Sequence, residues 1–126
     1  MFQSLDLFQT AGAMAKHAGA RQAVVAQNVA HADTPGYRAQ NIAPFQDVFE
    51  RSTSFNMRGA REGHIASATG ASRLQIELSS SEPAPNGNSV SIEEEMQNAV
   101  AISREHSRAL AIYQHTLTVL RTTIGR

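Results

Sequence analysis

A mostly α chain, with two long terminal helices of coiled-coil type around a loop-rich middle, is what these 126 residues predict. Three observations predict it. Residues 4–32 contain no proline and are dominated by alanine, the best helix former. Apolar residues recur at alternating spacings of three and four at both ends, the heptad pattern. Ser, Thr, Gly, Asn and Pro crowd the centre, as they do in loops.

The first helical seam runs Phe8, Ala11, Ala15, Ala18, Gln22, Val25, Val29 and Ala32, all apolar except Gln22. Asp33-Thr34-Pro35-Gly36 then stops it, because proline disfavours helical geometry in the residue before it. Ile42, Phe45, Val48 and Phe49 share one face of a short helix with Pro44 near its start. Between Arg51 and Val90 only Phe55, Ile65, Leu74, Ile76, Leu78 and Val90 are Ile, Leu, Val or Phe. Leu74, Ile76 and Leu78 alternate with Gln75 and Glu77, predicting a strand or hairpin. Residues 82–88 read as an extended connector and turn.

The last helix opens on Ser91, a cap with Glu94 three residues on, and Glu93, Glu94 and Glu95 lie where the helix dipole favours negative charge. Its seam runs Ile92, Met96, Ala99, Ser103, His106, Leu110, Tyr113, Leu117, Leu120 and Ile124. Arg121 and Arg126 sit at the carboxyl end, where positive charge is favourable. The chain therefore divides into an N-terminal helix (1–33), a turn, short helix and irregular middle (34–90) and a C-terminal helix (91–126).

Composition limits the function. Twenty residues are alanine, and Ile, Leu, Val and Phe together make 26 of 126. That is near the roughly 20% below which chains tend to disorder. Eleven basic and eleven acidic residues cancel, leaving no electrostatic footprint for nucleic acid. With no cysteine there is no disulfide, thiolate metal site or cysteine nucleophile. No run approaches the ~18 apolar residues of a membrane helix, and the first residues lack the basic and apolar regions of a cleavable signal. Any export is expected to use a route that reads no such signal.

No enzyme-like feature is well supported. Consecutive glutamates at 93–95 fan over different helix faces and cannot converge on one atom. His17, His31, His64, His106 and His115 form no i, i+4 pair and no metal motif. His106 reads as a polar seam residue, and a hydrolase using His106 or His64 lacks an arranged nucleophile. Neither a GxSxG setting nor a phosphate- or dinucleotide-binding glycine pattern is present. No cofactor, metal, small-molecule substrate or enzyme activity is expected.

The alanine stripe has two readings. Ordering a helix costs roughly 1–2 kcal/mol per residue, while small side chains recover little at about 25 cal/mol per Å2. A single helix pair is therefore marginal. Ala13, Ala20, Ala23, Val24, Ala26 and Ala30, off the seam, supply faces that a pair would leave wet. Burial against other subunits is the favoured reading, with ends that gain order on assembly. The competing reading is a stand-alone antiparallel hairpin that binds one partner helix.

At Asn28-Val29-Ala30-His31-Ala32-Asp33-Thr34-Pro35-Gly36-Tyr37-Arg38 the chain resembles the bacterial flagellar rod and hook proteins. Their signature is Asn-x-Ala-Asn-x-x-Thr-Pro-Gly-Tyr, and His31 stands here for the usual second asparagine. Asn28, Ala30, Thr34, Pro35, Gly36 and Tyr37 carry the match. Residues 87–96 and 120–124 are similar to the last helix of the proximal rod proteins, while residues 51–85 carry almost no resemblance. A sister rod protein sharing the first motif is the alternative.

The resemblance implies a structural subunit of the flagellar basal-body rod, the shaft that transmits torque across the periplasm. It implies delivery by the flagellar type III export apparatus and packing of both terminal helices into the axial tube. The partners it implies are further copies, other rod proteins and the adaptor FliE at the membrane ring.

Overall fold

The computed structural model describes residues 2–54 and 74–125. Phe55, His64, Ile65 and Arg126, singled out above, lie outside the described residues. The described residues form α1 (Phe2–Ala30), β1 (Gln40–Ile42), α2 (Phe45–Ser54), β2 (Ile76–Leu78) and α3 (Ile92–Thr123).

The two long helices run antiparallel. Phe8 stacks on Tyr113 with ring centroids 4.3 Å apart, Arg21 pairs with Glu105 at 2.8 Å, and Asn28 bonds Glu95 at 2.9 Å. Ala18, Val25 and Ile102 form the core between them, with Ala99 packed against it. Alanine at 11, 18, 99 and 109 lets the helices approach closely, but each such residue buries little apolar area.

Ser91 caps α3, its hydroxyl accepting from the Glu94 N–H at 3.5 Å and donating to the Glu93 carboxylate at 3.3 Å. Ile42 does not join the short helix. It is the last residue of β1 and is buried, because α2 begins only after Pro44, at Phe45. Phe45 and Phe49, one turn apart, stack at 5.7 Å.

β1 pairs antiparallel with β2 in the register Gln40–Leu78, Asn41–Glu77, Ile42–Ile76. Leu74, Ile76 and Leu78 are all exposed, so the alternation predicted the strand but not a buried face for it. Beyond β1 the pairing continues irregularly. The Ser79 N–H donates to the Ala39 carbonyl at 2.8 Å, the Ser89 N–H to that of Tyr37 at 3.0 Å, and the Gly36 N–H to that of Asn86 at 3.0 Å. Residues 36–42 thus lie between the segment leaving β2 and the one entering α3.

Candidate assembly site

The end of α1 and the turn after it are held by two asparagines. Asn28 is fully buried and uses its whole hydrogen-bonding capacity. Its Nδ2 donates to the Gln40 carbonyl at 2.8 Å and to Glu95 Oε1 at 2.9 Å. Its Oδ1 accepts from the Gln40 N–H at 3.0 Å and the Tyr37 hydroxyl at 3.3 Å. Flipping the amide would set donors against donors, so the network fixes its orientation. One side chain joins α1, the turn, β1 and α3.

Asn88 is the second hub. Its two amide hydrogens serve the carbonyls of His31, Ala32 and Thr34, at 3.0, 2.6 and 3.0 Å. All three belong to the turn that follows α1, so this side chain ties that turn to the segment entering α3 from across the fold. Asn88 Oδ1 accepts from the Val90 N–H at 2.8 Å, an Asx turn that leads into α3. Next to it, Ser89 Oγ accepts from the Ala39 N–H at 2.8 Å.

Two glycines let these segments touch. Gly36 has φ +73° and Gly87 φ +80°, and a Cβ on Gly87 would meet the Gly36 Cα at 3.3 Å. His31 stacks on Tyr37 at 4.6 Å and its Nδ1 lies 3.3 Å from Thr34 Oγ1, so the imidazole contributes to the turn. Ala30, Thr34, Pro35 and Gly36 are exposed at the tip, whereas Asn28 and Tyr37 reach inward.

Both sequence seams are split by the helix pair. In α1, Ala11, Ala18 and Val25 are buried, Phe8 and Ala15 are half-buried, and Gln22 and Val29 are exposed. The other packed positions are Met14, Arg21 and Asn28, with His17 and Val24 beside them. In α3, Ala99, His106, Tyr113 and Leu120 are half-buried against the pair. Their companions are Glu95, Ile102, Ala109 and Thr116, all buried. Ile92, Met96, Ser103, Leu110 and Ile124 are exposed and Leu117 is half-buried.

In each helix, then, one line faces the partner, and the true second line lies one residue before the one that apolar character selects. One residue is about 100° of rotation. The Asn28–Glu95 and Arg21–Glu105 contacts pin that rotation, at the expense of leaving Met96 and Ile124 62% and 75% exposed. A second apolar face on α3 is left outward.

Two buried ionisable groups adjoin the network. Burial raises the Glu95 carboxyl above its usual range, the Asn28 hydrogen bond opposes this and Glu94 adds to it. Burial, then Arg21, lowers the His17 imidazole, with Glu105 and the Ala43 backbone partly offsetting. His17 lies edge-on to Phe45 at 5.5 Å. Among the described residues no group of three His, Asp or Glu is placed to hold a metal ion, and no helix is long and apolar enough to cross a membrane.

Sequence reasoning missed Glu95, Asn88 and Ser89. Glu95 was hidden within a helix-start triplet, whose other two members are exposed. Asn86-Gly87-Asn88 signalled a turn, but not that Asn88 holds the turn after α1, reaching His31 57 residues earlier.

No family model matches the chain. Across 132 aligned positions it is 27% identical to the flagellar basal body rod protein FlgB of Agrobacterium fabrum, covering 98% of this chain and 96% of that protein. The similarity supports a flagellar rod protein of the FlgB type. It supports a structural role in the flagellar basal-body rod. Because the aligned share of both chains is nearly complete, it extends through the centre, where the sequence motifs say little.

Proposed function

We propose that the chain polymerises into the membrane-proximal part of the flagellar rod and transmits torque as part of that shaft. The observation that carries this reading is the outward apolar line of α3, Ile92, Met96, Leu110 and Ile124, on a chain similar to FlgB over nearly its whole length. A helix pair with a thin core and a second apolar face is only marginally stable alone, and neighbours that cover this face complete it. The segments 1–33 and 91–126 act as the axial helices. The 34–90 segment braces them, Gln40 and Tyr37 bonding Asn28 of the first helix and Asn88 holding the His31 and Ala32 carbonyls.

Partners in this reading are further copies, other rod proteins, and FliE at the membrane ring, with delivery by the flagellar export apparatus. A FlgC-type rod protein would use the same surfaces. The test is the composition of isolated basal bodies: the chain should be found at the membrane-proximal end of the rod. Basal bodies complete without it would refute the proposal.

One observation favours a second reading, a stand-alone hairpin adaptor: α1 and α3 already pack on each other within one chain. That reading predicts cooperative unfolding of a monomer and unchanged helicity in the presence of rods. The rod reading predicts helicity that rises on assembly.

A further inference from the structure

Asn86-Gly87 is the one Asn-Gly pair in the sequence. Such a pair is chemically exposed, because glycine has no side chain to keep its backbone nitrogen away from the preceding Asn Cγ. Asn86 is on the surface, and its Oδ1 accepts from the Asn88 N–H at 3.0 Å, which polarises the side-chain carbonyl. The electrophile is in place, but the nucleophile is held back. The Gly87 N–H is bound to the Ala84 carbonyl at 2.7 Å, and the Asn86 carbonyl of the same peptide unit accepts from the Gly36 N–H at 3.0 Å. A peptide unit is rigid and planar, so bonds at both its ends stop it turning its nitrogen toward Cγ. Gly87, at φ +80°, also lies so near the neighbouring segment that a Cβ would stand 3.3 Å from the Gly36 Cα.

We propose that Asn86 is a site of spontaneous deamidation which the folded turn suppresses and unfolding releases. Water is the only co-reactant. Once the turn opens, the Gly87 nitrogen gives up its proton and bonds to Asn86 Cγ. The Cγ–Nδ2 bond breaks and ammonia leaves with that proton. Water then opens the cyclic imide at one of its two carbonyls. Cleavage at Cγ leaves aspartate on the original backbone. Cleavage at the backbone carbon routes the chain through Cγ, giving isoaspartate with an extra methylene in the main chain. Aspartate keeps the acceptor for the Asn88 N–H. Isoaspartate removes the peptide carbonyl that accepts from Gly36 and displaces Asn88, whose amide ties down residues 31, 32 and 34. A chain that ages unfolded therefore loses this brace, and a folded one keeps it.

Peptide mapping by mass spectrometry of the full chain, aged at neutral pH with and without guanidinium chloride, tests this. The mass gain of amide-to-acid conversion should appear at Asn86 about tenfold or more slowly in the folded chain, because only the opened fraction reacts. Asn88→Ala keeps the Asn-Gly pair but drops the ties to residues 31, 32 and 34, and should speed conversion in the absence of denaturant. If that variant does not fold, hydrogen exchange at the wild-type Gly87 amide decides, with slowing of about tenfold or more expected. Asn86→Asp should unfold near the wild-type midpoint, and isoaspartyl chains, separated by chromatography, at lower denaturant. Equal conversion rates in folded and denatured chain, conversion centred on another asparagine, an unprotected Gly87 amide, or isoaspartyl chains as stable as Asn86→Asp would each overturn the proposal.

Discussion

Asn28→Asp is nearly isosteric, so it isolates the hydrogen-bond network from packing. The carboxylate keeps both acceptances, from the Gln40 N–H and the Tyr37 hydroxyl, and loses both donations. A donation to a charged group contributes about 1.5–3 kcal/mol and one to a carbonyl about 1, which sum to roughly 2.5–4 kcal/mol. The new oxygen also faces the Gln40 carbonyl and Glu95 across contacts of 2.8 and 2.9 Å in the native chain. Two charges at that separation repel by about 6 kcal/mol at an effective dielectric of 20, so the pair takes up a shared proton instead.

A loss of about 4 kcal/mol at neutral pH is a large part of the 5–15 kcal/mol that domains possess. The pair's folded pKa lies above its unfolded values, so the deficit is smallest in acid and grows as pH rises through the folded value. Urea unfolding followed by circular dichroism at 222 nm, at pH 7.5 and pH 5, measures both, with exposed Gln27→Glu as the control. A variant within 1 kcal/mol of wild type at pH 7.5, or a deficit that grows in acid, would refute the network.

Other outcomes follow from the same geometry. Gly36→Ala should cost about 1–2 kcal/mol, from its positive φ alone, and Gly87→Ala more, because its Cβ also meets the Gly36 backbone; equal unfolding midpoints would contradict this. Ala109→Asp buries an unpaired charge and should abolish the helical signal, while Leu110→Asp, on the exposed face, should change monomer stability by under ~1 kcal/mol yet prevent rod formation in a motility assay. Glu95 and His17 should give opposite pH dependences. The raised carboxyl adds stability in acid that is lost as pH rises through its folded value, and the lowered imidazole adds stability at neutral pH that is lost as pH falls through its own. Unfolding curves against pH should therefore flatten on the acid side in Glu95→Gln and His17→Phe, each removing the slope of its own sign.

The elements were legible because their causes are local. Alanine and the lack of proline specify α1, Ser91 with its three glutamates specifies the start of α3, and the 74–78 alternation specifies β2. Helix rotation was not legible. Counting apolar residues favours Met96, Leu110 and Ile124, whereas the chain buries Glu95, Ile102, Ala109 and Thr116. Polar residues can occupy those positions because their partners are supplied: Asn28 for Glu95, and for Thr116 its own helix through the Ile112 carbonyl at 2.8 Å. Those partners depend on three-dimensional proximity, which no spacing rule encodes. Ile42 was misplaced for a related reason, since its burial belongs to a strand whose mate lies 34 residues on.

The central claim is that the outward line of α3 is where a neighbouring subunit packs. Because the chain has no cysteine, Leu110→Cys introduces a single thiol at the middle of that line. In functional basal bodies assembled with this variant, a short thiol-reactive photocrosslinker should join it to an adjacent rod subunit, while Arg108→Cys, also exposed but about 160° around the helix from Leu110, gives little product. Efficient subunit crosslinking from 110 supports the account; a Leu110→Cys thiol that stays freely reactive to bulky reagents in intact rods would contradict it.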